Sequence, residues 1–129
     1  MKKPYNILFI TSDQQRGDCY GFEKRKVKTP HLDELASEGT RFKNCITPNT
    51  VCMPARSSML TGLLPRTHGV SDNGIDLNPE IGEKGFGRTF ANNGYKSGFI
   101  GKLHFSSNKT FKPTGTTECR FSISKLVPK

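Results

Sequence analysis

The chain has 129 residues, the size of one ordinary domain, and only 33% of them are apolar, which is a low share for a compact globular fold. Its formal net charge of +9 lies at the two ends, because residues 29–101 carry seven basic and seven acidic residues. No basic stripe with interleaved aromatic residues is present, which argues against a nucleic-acid-binding domain and leaves the basic ends as solvated tails.

The first predicted element is a buried strand over residues 6–12, a short apolar run that ends in a polar cluster. Such a strand is typical of a parallel sheet covered on both faces. A short amphipathic helix is predicted over residues 31–38, since Thr29-Pro30 precedes it and Gly39 follows it. The order strand, loop, helix favours an α/β fold.

A second helix is predicted over residues 55–60, opened by Pro54, and this would place Cys52 at its N-terminus. Residues 63–85 are rich in Gly, Pro, Asn and Asp and are predicted to be mostly loop. A short helix over residues 86–93 and a second buried strand over 97–100 follow. Beyond Phe105 the pattern predicts no element, and residues 106–129 are interpreted as an unplaced tail that a truncation or a frameshift would explain.

The four cysteines of the chain are irregularly spaced and do not form a zinc-binding pattern. They are Cys19, Cys45, Cys52 and Cys119. The apolar run near the N-terminus is four residues long, too short for a secretory signal, and nothing approaches the roughly 18 apolar residues of a membrane span. The sequence therefore predicts a cytoplasmic protein with reduced thiols and no membrane partner.

The densest local signal is the segment Cys-Met-Pro-Ala-Arg-Ser-Ser-Met-Leu-Thr-Gly over residues 52–62. A cysteine at a helix N-terminus lies beside free backbone N–H groups and a partial positive charge, which would stabilise an anion there. Arg56 follows one turn later on the same face and could neutralise that anion. The alternative is a buried structural cysteine beside a surface arginine, and the spacing alone leaves both open.

This segment resembles the signature of the sulfatase family, C-x-P-[SA]-R followed by Leu-Thr-Gly. The resemblance implies that Cys52 is converted to formylglycine, whose hydrated aldehyde attacks an ester. It also implies that Pro54 and Arg56 belong to the sequence recognised for this conversion, and that Arg56 supports the hydrate.

Residues 7–13, followed by Gln14, resemble the first strand of the same family, which ends in acidic ligands of a catalytic divalent cation. Asp13 stands where the first ligand stands, and the resemblance makes Asp13, Gln14 and Cys52 the metal-binding residues. Where many members have a second aspartate this chain has Gln14, as in the branch that contains phosphonate monoester hydrolases. Apart from the resemblance, these residues also fit a turn at the end of a strand.

Two later segments resemble the family in the same order. The His-Gly-Val turn at residues 68–70 leads to Asn73, which the resemblance makes a substrate-binding residue for a sulfate oxygen. Residues 94–104 are similar to the second family signature and end in Lys102 and His104, which the resemblance places in the catalytic site. In extended chain these two side chains would face the same side. Without the resemblance, Lys102 fits a solvated lysine and His104 a surface or capping histidine.

The resemblance implies an incomplete α/β fold, the N-terminal part of an alkaline-phosphatase-like sandwich with a mostly parallel sheet flanked by helices, over residues 1–105. It implies a sulfuric ester hydrolase that uses formylglycine and a divalent cation, usually Ca²⁺, with Mg²⁺ or Mn²⁺ also suited to oxygen ligands. The implied partners are a sulfated small molecule or glycan and a formylglycine-generating enzyme. The alternatives are a phosphonate or phosphate ester hydrolase and an inactive remnant, since further metal ligands of the family lie outside this chain.

Overall fold

A computed structural model describes residues 5–23, 27–106 and 116–118 of the chain. Its elements follow the order α1 (Pro30–Glu38), α2 (Cys52–Thr61), α3 (Pro65–His68), α4 (Pro79–Gly82), α5 (Phe86–Asn92), β1 (Ser97–Phe99) and β2 (Thr116–Glu118). The chain divides into two compact units, a first unit of Met1–Cys45 and a second unit of Ile46–Lys129.

Helix α1 of the first unit confirms the helix predicted from the Thr-Pro start and the Gly stop. Pro30 occupies its first turn, where the missing N–H costs no hydrogen bond. The Thr29 hydroxyl donates to Oδ1 of Asp33 at 2.8 Å, and the backbone N–H of Gly21 donates to the Thr29 hydroxyl at 2.8 Å. A methyl group on residue 21 would collide with the Asp33 carboxylate, so a larger residue there would displace this side chain from its bonds with Thr29 and Gly21.

The strand predicted over residues 6–12 is wrong for the described part of the first unit. Residues 5–23 contain no strand there, and the apolar side chains of residues 7–10 are between 58% and 85% exposed. A strand is defined by backbone hydrogen bonds to a neighbouring strand, and no strand lies within residues 5–23 or 27–45 to provide them. The apolar run at residues 7–10 therefore forms no strand within the described residues of this unit.

The second unit is organised around α2, which contacts α3, α4 and α5. The buried core is made by side chains of α2 and of the segment that follows it, namely Met53, Leu60, Val70 and Leu77, with Ile81 and Phe105 packed against them. The helix ends at Gly62, whose φ of 72° is a left-handed conformation suited to glycine. Its start and end agree with the predicted helix, extended by Cys52, Met53 and Pro54 at the N-terminus and by Thr61 at the other end.

Residues 63–85, predicted to be mostly loop, contain the two short helices α3 and α4. Each begins with a proline at its first position, and α3 ends at Gly69, whose φ is 81°. The Asn78 side chain accepts a hydrogen bond from the Glu80 N–H at 2.8 Å and caps α4. Pro starts and a Gly stop are therefore sufficient for single helical turns that lack any apolar periodicity.

Strand β1 confirms the strand predicted near residues 97–100, but its side chains are half-buried or exposed rather than buried. It pairs in parallel with β2, with Ser97 opposite Thr116 and Phe99 opposite Glu118. The sequence predicted no element beyond Phe105, so β2 corrects that expectation. The rest of the predicted tail, residues 107–115 and 119–129, lies outside the described residues.

Helices packed beside a short parallel sheet give the second unit an α/β organisation, consistent with the predicted fold class. Within the described ranges, no helix has the length and apolar character that a bilayer crossing requires.

The packing of α2 against Gly85 yields a stability prediction. A methyl group at residue 85 would lie 2.6 Å from the Leu60 carbonyl oxygen and 3.0 Å from that of Gly82. We expect Gly85→Ala to lower the free energy of unfolding by about 1–3 kcal/mol through overpacking, measured by urea denaturation followed by far-UV circular dichroism.

Gly98→Ala is the matched control, because nothing lies within 4 Å of a methyl group there. It should change the free energy of unfolding by less than about 0.5 kcal/mol. Equal urea midpoints for the two variants would contradict the packing described for Gly85.

Candidate active site

Cys52 is the first residue of α2 and is half-buried. The residue before it, Val51, is extended, with φ −90° and ψ 144°, and has no side-chain group to cap the helix. Its own N–H donates to the Asn49 side chain at 2.7 Å, which fixes the entry of the chain into the helix. The structure thus confirms that Cys52 lies at a helix N-terminus, where backbone N–H groups need partners.

Asn73 lies against the first turn of α2. Its side-chain oxygen accepts a hydrogen bond from the Met53 N–H at 3.1 Å, across a sequence separation of 20 residues. This contact supplies a cap that Val51 cannot give. It also sets the orientation of the amide: since Oδ1 faces the helix, Nδ2 is the group through which Asn73 can donate to another molecule. The structure therefore places the Asn73 side chain against Met53, the residue that follows Cys52.

Arg56 joins α2 to the second predicted site segment. Its Nη1 donates to the backbone carbonyl of Lys102 at 2.6 Å, 46 residues away. The guanidinium is thereby held one turn after Cys52 on the same helix. Sequence spacing predicted the position of Arg56 but gave no sign of the contact with Lys102.

The segment that contains Lys102 and His104 is fixed by contacts at its far end. The Phe105 carbonyl accepts from the Leu77 N–H at 2.9 Å, and the Ser106 hydroxyl donates to Asp76 at 2.8 Å. Lys102 is exposed, His104 is half-buried, and both lie beyond β1. His104 has a φ of 54°, so extended geometry does not continue through it. That the side chains of Lys102 and His104 face the same side stays a prediction, because it assumes an extended backbone at both residues.

His68 is a buried residue, although the sequence pattern indicated only that it belongs to a His-Gly-Val turn. Its ring is 3% exposed. The Val70 N–H donates to Nδ1 at 3.1 Å, so Nδ1 carries no proton, and Nε2 lies 2.9 Å from the Ser58 hydroxyl of α2. The ring is therefore neutral, with its proton on Nε2. The only sequence signal for this role is a histidine placed directly before a glycine that ends a helical turn.

Burial lowers the pKa of His68 below its ordinary value, because the charged imidazolium loses its hydration. Hydrogen bonding to backbone groups of His68 and Pro54 opposes this effect without overcoming it. The direction agrees with the hydrogen-bond geometry, in which a proton on Nδ1 would face the Val70 N–H donor.

Asp13 and Gln14 belong to the first unit and are exposed. Gln14 has a φ of 56°, a left-handed conformation that is uncommon outside glycine and turns the chain at this point. A carboxylate and an amide oxygen are hard donors and fit Ca²⁺, Mg²⁺ or Mn²⁺. Among the residues that the structure describes, no group of three or more His, Cys, Asp and Glu side chains is placed to hold a metal. These two residues fit part of a cation site, whereas Cys52, Arg56, Asn73 and Lys102 belong to the second unit.

Comparison with known proteins identifies the family of these residues. The sulfatase family model matches residues 5–123. An ulvan-active sulfatase of Formosa agariphila is 39% identical over 105 residues, which are 81% of this chain and 20% of that protein. An N-acetylglucosamine-6-O-sulfatase of Bacteroides thetaiotaomicron is 35% identical over 109 residues, 82% of this chain and 19% of that protein.

The crystal structure of the YidJ protein of Bacteroides fragilis, a candidate sulfatase, superposes with a TM-score of 0.68 at 38% identity. The match covers 79% of this chain and 24% of that structure. The chain thus spans about a fifth to a quarter of the length of these relatives, with a shared local fold.

The neutral state of His68 predicts how stability depends on pH. Folding lowers the pKa of His68, so there is a pH range in which the unfolded chain binds a proton at this residue and the folded chain does not. The free energy of unfolding therefore falls as the pH drops through about 6.5, the ordinary pKa of histidine. Each unit of lowering is worth about 1.4 kcal/mol. Urea denaturation between about pH 7.5 and about pH 5.5 measures this loss.

In His68→Asn the pH dependence of the urea midpoint should become flatter than in the unsubstituted chain. His31→Asn, at an exposed position in α1, should keep the full dependence and serves as the control. A dependence that survives in His68→Asn and disappears in His31→Asn would refute the buried neutral imidazole.

Proposed function

Because the chain belongs to the sulfatase family, we propose that it carries the nucleophile region of a sulfate-ester hydrolase, with Cys52 as the formylglycine precursor. The observation that supports this most is the position of Cys52 at the start of α2, inside the Cys-Met-Pro-Ala-Arg segment and beside the Asn73 contact with Met53. An N-terminal helix position favours a residue that becomes anionic during reaction. A structural cysteine would not need such a position.

Converted to formylglycine and hydrated, residue 52 would supply a hydroxyl group whose oxygen bonds to the ester sulfur while the bond from sulfur to the alcohol oxygen breaks and the alcohol leaves with a proton. Loss of the proton from the second hydroxyl would then re-form the aldehyde and break the bond from carbon to the sulfate oxygen, which releases sulfate. Arg56 is proposed to stabilise the negative charge that develops there, since it lies one turn away on α2 and its guanidinium is fixed by the Lys102 carbonyl. Asn73 is proposed to donate through Nδ2 to a sulfate oxygen, in the orientation that the Met53 N–H imposes. Lys102 is proposed to contact the sulfate group, and His104 to lie in the site as a proton-transfer group.

Asp13 and Gln14 are proposed to bind a divalent cation together with residue 52. Their oxygen atoms suit Ca²⁺, with Mg²⁺ and Mn²⁺ as alternatives. A bound cation would act as a Lewis acid toward the sulfate oxygens and neutralise charge on them. Other ligands of a full coordination shell would come from outside these residues, because two side chains and residue 52 do not provide the six to eight oxygens that Ca²⁺ takes.

The proposed substrate is a sulfated small molecule or a sulfated glycan, and the proposed partner is a formylglycine-generating enzyme. The names of two relatives, an ulvan-active sulfatase and an N-acetylglucosamine-6-O-sulfatase, support the glycan. The exposed Lys102 would favour an anionic substrate.

Substitution of the nucleophile tests this function. In chain produced together with a formylglycine-generating enzyme, Cys52→Ala should abolish hydrolysis of an aryl sulfate, a loss of at least about a thousandfold, because no nucleophile remains. Cys45→Ala is the matched control, since Cys45 is exposed and lies outside α2.

Full aryl sulfate turnover by Cys52→Ala would contradict the proposed role of this residue. If the unsubstituted chain carries formylglycine at position 52 and still turns over no ester, these residues do not hydrolyse the ester by themselves, as expected of an inactive relative or of a site that needs the further metal ligands.

A second candidate function is hydrolysis of a phosphonate or phosphate ester, and Gln14 is the observation that favours it. An amide oxygen in place of a second carboxylate leaves the cation less neutralised, which would suit a more negatively charged ester group. The sulfatase proposal expects an aryl sulfate to be turned over faster than an aryl phosphonate, and Gln14→Asp to widen that difference. A faster phosphonate reaction that Gln14→Asp suppresses would favour the second candidate.

A further inference from the structure

The segment that follows α2 returns to the same helix and contacts it at two levels. At the middle of α2, His68 contacts the Ser58 hydroxyl at 2.9 Å. At the first turn, Asn73 accepts from the Met53 N–H at 3.1 Å, and the Gly74 N–H donates to the Met53 sulfur at 3.1 Å. The position of Asn73 next to Cys52 therefore depends on what holds this returning segment in place.

Both ring nitrogens of His68 contact parts of this arrangement, and hydrogen bonding to the Pro54 backbone joins His68 to the same helix. Nδ1 accepts from the Val70 N–H at 3.1 Å, two residues along the returning segment, while Nε2 faces Ser58 on α2. Ser58 is 8% exposed and Val70 is fully buried. One planar ring therefore joins the helix to the turn, and water does not compete for either bond.

The contact between His68 and Ser58 joins the returning segment to α2 across ten residues, whereas the bond from the Thr61 hydroxyl to the Ser57 carbonyl stays inside the helix. The apolar contact of Val70 with the core is non-directional and does not fix a rotation about the chain. A hydrogen-bonded pair of defined geometry does.

We propose that His68 is a positioning residue of the site: by binding Ser58 of α2 and the Val70 N–H at once, it holds the segment that carries Asn73 against the first turn of α2, beside Cys52. This inference rests on the proposed function for its catalytic meaning. The hydrogen bonds from which it is argued all lie within the second unit.

Two variants separate this role from that of a core residue. Asparagine at position 68 can still accept from the N–H two residues later, as asparagine does in Asx turns, but its shorter side chain does not reach Ser58. Ser58→Ala removes the same contact from the helix side. His68→Asn and Ser58→Ala should therefore have the same effect, and the double variant should add little to either.

The measurement is amide hydrogen exchange of the 129-residue chain, read residue by residue by NMR. The Met53 amide, which donates to Asn73, should lose about tenfold of its protection in His68→Asn and in Ser58→Ala. The Val70 amide should keep its protection in His68→Asn and lose it in His68→Ala. Amides of α5, which have no contact with His68 among the described hydrogen bonds, should keep theirs.

Equal loss of protection in α5 and at Met53 would show that His68 acts only on overall stability, and would overturn the proposal. An unchanged Met53 amide in both variants, or an unprotected one in the unsubstituted chain, would also overturn it.

Turnover of an aryl sulfate, measured in the same variants after formylglycine formation, separates this proposal from the proposed function. We expect kcat to fall about tenfold with KM changed less, since Asn73 would be misplaced relative to the reacting group. If the unsubstituted chain shows the exchange pattern but no turnover, the positioning contact stands and hydrolysis by these residues alone fails. If turnover is present and equal in all variants, the positioning role fails.

Discussion

The second unit depends on how the first turn of α2 is stabilised. A helix start leaves backbone N–H groups without partners inside the helix, and Val51 has no side chain that could accept from them. The side-chain oxygen of Asn73, 20 residues after Met53 in the sequence, accepts a hydrogen bond from the Met53 N–H and provides one of these partners. The hydrogen bond that caps the helix thus also places the Asn73 amide next to Cys52. One contact therefore contributes both to the start of the helix and to the arrangement of the site.

The rest of α2 divides between packing and the site. Met53 and Leu60 enter the core, and the buried Met53 also receives the Gly74 N–H on its sulfur. Arg56 points instead to the carbonyl of Lys102. Because Cys52 and Arg56 lie on the same helix as the core residues Met53 and Leu60, substitutions in the core would move Cys52 and Arg56 together rather than separately.

Parts of this arrangement followed from the sequence and parts did not. Helices α1, α2 and α5 were predictable because Pro, Gly and apolar spacing act locally. The Arg56 contact with Lys102 and the Asn73 contact with Met53 connect residues far apart, and no local pattern contains them. The strand over residues 6–12 was wrong for the described residues because pairing requires a partner strand, which apolar character alone does not supply. Asp13 and Gln14 remain predicted cation ligands, identified by resemblance and by the chemistry of their oxygens.

We propose that residue 52 becomes the formylglycine of a sulfatase-family site, and mass spectrometry of one peptide is the most direct test of this modification. Trypsin cleavage after Lys43 and Arg56 releases residues 44–56, which contain both Cys45 and Cys52. In cells that modify a known sulfatase, we expect an aldehyde at position 52 and an alkylatable thiol at position 45 of the same peptide. Two alkylatable thiols in that peptide, beside a fully modified control sulfatase, would contradict it.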